Sequence, residues 1–127
     1  MNEDHTVYME KCFSLALKAK GKTSPNPLVG CVIVKRNRII AEGYHKKSGL
    51  PHAEADAFLN ATEDVSGATL YCNLEPCCHL NKKTPPCAQA IIKHRIKKVV
   101  IANLDPNPEV AGQGVELLRQ AGIDVEI

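Results

Sequence analysis

Apolar residues recur at helical spacing through residues 5–20, where Met9, Cys12, Phe13, Ala16 and Leu17 share one face and Lys11, Lys18 and Lys20 lie elsewhere. Gly21 closes this helix. Thr23-Ser24-Pro25-Asn26-Pro27 then forms a rigid loop, because proline disfavours helix for the residue before it. The period changes next: residues 28–34 are an unbroken apolar run, the kind of strand covered on both faces. Arg36-Asn37-Arg38 turns the chain into a second strand at 39–43, and the two form a hairpin. Further on, the pattern predicts a helix over 53–60, a strand over 68–73 and a helix starting near Pro85-Pro86 with Ala88, Ile91 and Ile92 inward. A strand at 99–102, a helix at 115–121 closed by Gly122 and a last strand at 123–127 complete the series. Strands alternating with helices after an initial hairpin predict an α/β domain, a mixed sheet with helices on both faces.

Composition narrows the partners. The chain has 127 residues, enough for one domain with a single core, and shows no repeat or linker. Sixteen basic against 14 acidic residues leave a net charge of +2, without the concentrated basic face that long nucleic acid requires. Five aromatic residues, Tyr8, Phe13, Tyr44, Phe58 and Tyr71, make no base-stacking platform. The acidic start Met1-Asn2-Glu3-Asp4 lacks an apolar signal core, and the run at 28–34 is too short to span a membrane. Six cysteines are present, but Cys12, Cys31 and Cys72 fall inside helix and strand patterns, as reduced core residues do. The expected setting is the cytoplasm.

The chemistry is concentrated in His52-Ala53-Glu54, Pro76-Cys77 and Thr84-Pro85-Pro86-Cys87. One imidazole, two thiolates and a carboxylate that does not ligate are the parts that hold Zn2+ with one open position. This order is the signature of zinc-dependent base deaminases. Mid-helix, residues two apart point about 200° from each other, at roughly 100° per residue. His52 and Glu54 therefore converge only where a helix begins, and Pro51 marks such a start. Helix N-termini favour thiolate and hydroxide. Spacing alone leaves Cys77 and Cys78 open as the second ligand; the Glu75-Pro76-Cys77 context favours Cys77. A closed structural zinc module is the rival, with His79 as the nearest fourth ligand. Read singly, His52 is a helix cap, Asn26 and Asn107 are turn formers between prolines, His45 and His79 are loop histidines, and Lys83 beside Lys82 is a solvated face.

Across nearly its whole length the chain resembles the deaminase domain of the bacterial riboflavin-biosynthesis deaminase/reductase family, the diaminohydroxyphosphoribosylaminopyrimidine deaminases. The likeness is carried by the stretch from Thr23-Ser24-Pro25-Asn26-Pro27 through Val34, Gly43-Tyr44-His45, His52-Ala53-Glu54-Ala55 and Gly67-Ala68-Thr69-Leu70-Tyr71. It continues in Leu74-Glu75-Pro76-Cys77, Lys83-Thr84-Pro85-Pro86-Cys87 and Asp105-Pro106-Asn107-Pro108. The resemblance implies a cytidine deaminase-like three-layer α/β/α sandwich with a five-stranded mixed sheet. It implies hydrolytic deamination of 2,5-diamino-6-(5-phosphoribosylamino)pyrimidin-4-one with release of ammonia. His52, Cys77 and Cys87 would bind zinc, Glu54 would shuttle protons, and Asn26, His45, Ala53, His79, Lys83 and Asn107 would contact substrate. The implied partners are that phosphorylated pyrimidine, a separate reductase and further copies of the chain in a homo-oligomer, with no nucleic acid and no membrane. Deaminases of another free base or nucleoside, cytidine or guanine, are the enzymatic alternative. Two departures stand out: the Cys77–Cys87 loop is one residue longer than the common form, and the reductase domain is absent from the 127 residues, which leaves open both a stand-alone deaminase with a separate reductase and a piece of a longer deaminase/reductase.

Overall fold

The computed structural model describes residues 3–24, 27–77 and 86–127. In chain order the elements are α1 (Glu3–Leu17), β1 (Gly30–Lys35), β2 (Arg38–Tyr44), α2 (Ala53–Asn60), β3 (Thr69–Leu74), α3 (Cys87–Lys93), β4 (Lys98–Asn103), α4 (Gln113–Gln120) and β5 (Asp124–Glu126). The five strands form one sheet in the order β2-β1-β3-β4-β5. β1 pairs antiparallel with β2 and β3, whereas β3, β4 and β5 run parallel, so the sheet is mixed. The three-layer architecture expected from the resemblance is the one observed.

Local chemistry explains the hairpin. Arg36 and Asn37 both adopt positive φ, 54° and 62°. That backbone matches the right-handed twist of the strands it joins. Central β1 is buried on both faces, as its unbroken apolar run requires. The main core, built on Ile33, Leu70, Ile91, Val99, Ile101 and Leu118, lies between the sheet and the helices α2, α3 and α4. A second core of Met9, Cys12, Leu15, Val32, Tyr71 and Val100 lies under α1 on the other face. At 8, 7 and 8 residues, α2, α3 and α4 are too short to be stable alone, so packing holds them. Each fully buried Leu or Ile contributes roughly 1.5–3 kcal/mol to that packing.

The face of α1 differs from the sequence expectation. Met9, Cys12 and Ala16 are buried, but Phe13 and Leu17 are 43% and 60% exposed, and Leu15 and Ala19 are buried instead. The reason is a close approach: a side chain on Gly30 would overlap the backbone of Cys12 and meet the Ala16 nitrogen at 3.0 Å. The helix docks through its small residues, and a Phe13–Leu17 face would hold it off the sheet. Apart from α2, element boundaries shift by one to three residues from the expected ones. The third helix begins at Cys87, with Pro86 as its N-cap, one position beyond the expected start.

Candidate active site

The sheet topology gathers one set of chain ends. The carboxyl ends of β2, β3 and β4 and the start of β1 lie on the same edge, since Gly30 pairs with Tyr44, Cys31 with Cys72 and Leu74 with Asn103. α2, α3 and α4 each follow a segment that leaves this edge. In open α/β sheets, ligands bind outside the carboxyl ends of the strands.

His52, Cys77 and Cys87 meet there. Their candidate ligand atoms all lie within 4.8 Å of one another. Nδ1 of His52 is 3.7 Å from Sγ of Cys77 and 3.5 Å from Sγ of Cys87. A tetrahedral zinc with its usual N and S bond lengths separates neighbouring ligand atoms by about 3.5–3.8 Å, so the three donors fit such an ion. His52 is the N-cap residue of α2 but makes no side-chain capping hydrogen bond, which removes the helix-cap reading. Cys77 follows Pro76 just past β3, and Cys87 opens α3. The Cys87 N–H donates to the Cys77 sulfur at 3.3 Å, and Ala88 N–H donates to the Cys77 carbonyl at 2.9 Å. A hydrogen bond from Cys87 drives the Cys77 thiol far below its ordinary value, while that bond and burial push Cys87 up. Cys78 lies outside the described residues.

Glu54 sits in the first turn of α2 at 3% exposure. Burial raises its pKa above the usual carboxylate range. The Cys72 thiol donates to its Oε2 at 3.6 Å. Glu54 lines a cavity of about 230 Å3 together with His45, His52, Ala53, Cys77 and Asp105. Its side chain is thus held at a cavity wall that two of the three donors, His52 and Cys77, share.

The other expected residues distribute unevenly. His45 is buried at 2%, its Nδ1 is 3.1 Å from the Pro51 carbonyl, and its ring stands edge-on to that of His52 with centroids 5.3 Å apart. It is no solvated loop histidine. Ala53 is fully buried at the cavity wall. Asn107 is exposed; its Oδ1 accepts from Glu109 N–H at 3.0 Å, a turn-forming bond, and Asp105 rather than Asn107 lines the cavity. Asn26, His79 and Lys83 lie outside the described residues.

Three residues that support the site were not singled out from the sequence. Asn73 accepts from Gly30 N–H at 2.7 Å and donates to the Leu28 carbonyl at 3.0 Å, pinning the segment beside the cavity. Cys72 was read only as core. Glu75 was read only as context for Cys77, yet it is buried at 6% and accepts three backbone N–H groups. Burial alone would raise its pKa, but these three N–H groups of Asp105, Gly112 and Val115, with that of Gly114 close by, outweigh it and hold the carboxyl below its usual range. The available signal was a polar residue inside an apolar strand run, which must find partners when buried.

A five-stranded mixed sheet bearing a His-Cys-Cys cluster and a buried glutamate defines the zinc-binding deaminase class. Residues 2–103 match the family model of the cytidine and deoxycytidylate deaminase zinc-binding region, and the chain belongs to that family. Within it, the chain is 57% identical over 118 residues to the riboflavin biosynthesis protein RibD of Actinobacillus pleuropneumoniae, covering 93% of this chain and 31% of that one. The solved structure of Acinetobacter baumannii RibD superposes with a TM-score of 0.94 at 51% identity, covering 98% of this chain and 35% of that one. A Thermotoga maritima structure, described as a diaminohydroxyphosphoribosylaminopyrimidine deaminase/5-amino-6-(5-phosphoribosylamino)uracil reductase, gives 0.91 at 50% identity, with 97% and 36% covered. The chain therefore spans about a third of the length of these relatives.

Proposed function

We propose that the chain is a zinc-dependent hydrolytic deaminase whose substrate is 2,5-diamino-6-(5-phosphoribosylamino)pyrimidin-4-one. The observation that carries this reading is the convergence of His52, Cys77 and Cys87, two of which, His52 and Cys77, line one cavity together with Glu54. The identity of about half to RibD proteins supports the choice of substrate. Among the described residues the cluster has three donors, the number a catalytic zinc site takes from its protein; Cys78 and His79 lie outside the described residues.

In this reading His52, Cys77 and Cys87 would hold Zn2+, which would supply Lewis acidity to bring a water's pKa toward neutrality. Glu54 accepts the proton of that water as its oxygen attacks the amino-bearing ring carbon. The same carboxyl delivers that proton to the ring nitrogen, then takes the proton of the added hydroxyl and passes it to the amine, which leaves as ammonia as the ring carbonyl forms. Burial suits Glu54 to both roles, because a raised pKa brings the acid and base forms closer in energy. The N–H groups that open α2, starting at Ala53, have no acceptors within their helix and point to this end of the sheet. Asn26, His45, Ala53, His79, Lys83 and Asn107 are assigned to the substrate, with Lys83 and His79 at its polar or phosphate end. A reductase is the partner that consumes the product, and a homo-oligomer is the assembly. Cys12, Cys31, Cys72, Cys77 and Cys87 are all free, which suits a reducing, cytoplasmic setting.

The test is ammonia release from a panel of pyrimidines, phosphorylated and dephosphorylated, with cytidine and guanine alongside. Turnover of the phosphorylated diaminopyrimidinone above all others is expected. Preference for cytidine or guanine would move the substrate assignment, and metal binding without any turnover would favour a structural zinc module.

A further inference from the structure

Glu75 joins three parts of the site that are far apart in sequence. Its backbone N–H donates to the Asn103 carbonyl at 2.9 Å, extending the parallel β3–β4 ladder past its last pair. Its Oε1 accepts from Asp105 N–H at 3.0 Å and from Gly112 N–H at 2.9 Å, the two ends of one loop. Its Oε2 accepts from Val115 N–H at 3.0 Å, in the first turn of α4. That turn is pressed close: a side chain on Gly114 would overlap the Pro76 carbonyl and meet the Glu75 carboxyl at 3.2 Å. The loop from 105 to 112 thus hangs from one buried carboxylate, and Asp105 at its start lines the cavity. The donor cluster has separate ties, from Ala88 and Cys87 N–H to Cys77, and among the described residues none of these runs through Glu75.

We propose that Glu75 is a positioning residue that sets the substrate-side wall of the cavity by holding the 105–112 loop against the Pro76–Cys77 segment. This deepens the deaminase reading and rests on it. The role requires a carboxylate. Three N–H donors need acceptors at both oxygens, and glutamine would set an NH2 group against one of them. Aspartate keeps the charge but is one methylene short.

The experiment compares Glu75→Gln and Glu75→Asp with the unaltered protein by steady-state kinetics on the phosphorylated diaminopyrimidinone, bound zinc and amide hydrogen exchange. Glu75→Gln should raise KM about tenfold or more, because hydrogen bonds to a charged acceptor are lost. Its kcat should change by less than about threefold, since the groups that touch the reacting atoms are untouched. Zinc should stay near one equivalent, and exchange should quicken at Asp105, Gly112 and Val115 but not in β3 or β4. Glu75→Asp should recover part of the KM, which separates loss of the charge from loss of the fold. Unchanged KM would overturn the proposal. So would zinc loss in Glu75→Gln, or faster exchange throughout the sheet, which would mark Glu75 as a part of the metal site or of general stability. If the unaltered protein binds zinc but turns nothing over, the deaminase reading fails instead. The exchange pattern then decides the clamp by itself: quickening confined to the loop keeps it, and none discards it.

Discussion

The thiol of Cys72 donates to Oε2 of Glu54 across 3.6 Å, and both side chains are buried. β3 thereby steadies a carboxylate carried by α2 that lines the cavity. A neutral hydrogen-bond donor favours the charged form of its acceptor, opposing the burial that raises Glu54. Cys72→Val, close in volume but without a donor, should lower kcat by about two- to tenfold, the worth of one hydrogen bond. Zinc content should not change. Full activity in that variant would reduce Cys72 to a packing residue.

Glu54→Gln should fold, keep zinc and lose nearly all turnover. The side chain lies beside the donor cluster and is not one of its three members. General acid–base groups contribute typically 100- to 10,000-fold, and one group here serves both directions. A zinc-free Glu54→Gln protein, or one with substantial ammonia release, would contradict the shuttle role.

Replacing a donor should act on the metal itself. Cys77→Ser and Cys87→Ser should each lower bound zinc sharply, and Cys78→Ser should leave it near one equivalent. The basis is that Sγ of Cys77 and Sγ of Cys87 both lie within 3.7 Å of the His52 ring nitrogen. Zinc analysis of the three purified variants decides it, and the reverse pattern would move the ligand assignment to Cys78.

Lys83→Ala should weaken use of the phosphorylated substrate far more than that of its dephosphorylated analogue. A charge-assisted contact to phosphate contributes roughly 1.5–3 kcal/mol, or about ten- to a hundredfold in kcat/KM. Equal losses on both substrates would assign Lys83 to the ring or the loop. No loss on either would shift attention to Lys82.

Stability should fall on the alkaline side. Burial pushes the Cys12 thiol up to about 12 and raises Cys31 and Cys72 well above the ordinary 9.0. For groups whose folded pKa is raised, the unfolded chain loses its proton first. The contribution is therefore complete below about pH 9 and declines as pH rises through 9 toward 12, by at most about 1.4 kcal/mol per pH unit for each group. Urea midpoints at pH 7, 9 and 10.5 measure this. Cys12→Ala should lose less across the window than the unaltered protein, and a flat profile to pH 10.5 would refute the buried neutral thiols.

What the sequence determined by itself was the set of donor residues that converge and the order of elements. The site is legible because its signals are local. Pro51 and Pro86 stop the preceding backbone and start helices beside His52 and Cys87, so residue type and position in an element are coupled within a few residues. The period change from α1 to the 28–34 run and the turn at Arg36-Asn37 are equally local, and α2 was placed at 53–60 as observed. The tertiary structure decided what depends on two elements meeting. Val7, Phe13 and Leu17 make α1 apolar on more than one side, and only the close approach of Gly30 selects its small face. The environment of Glu75 is another such case. Its acceptor role is met by amides 30 to 40 positions away, and backbone N–H groups carry no residue identity for a sequence pattern to register. Burial of a carboxylate depends on the strands and loops that close over it, and that is set by chain topology rather than by its neighbours in sequence.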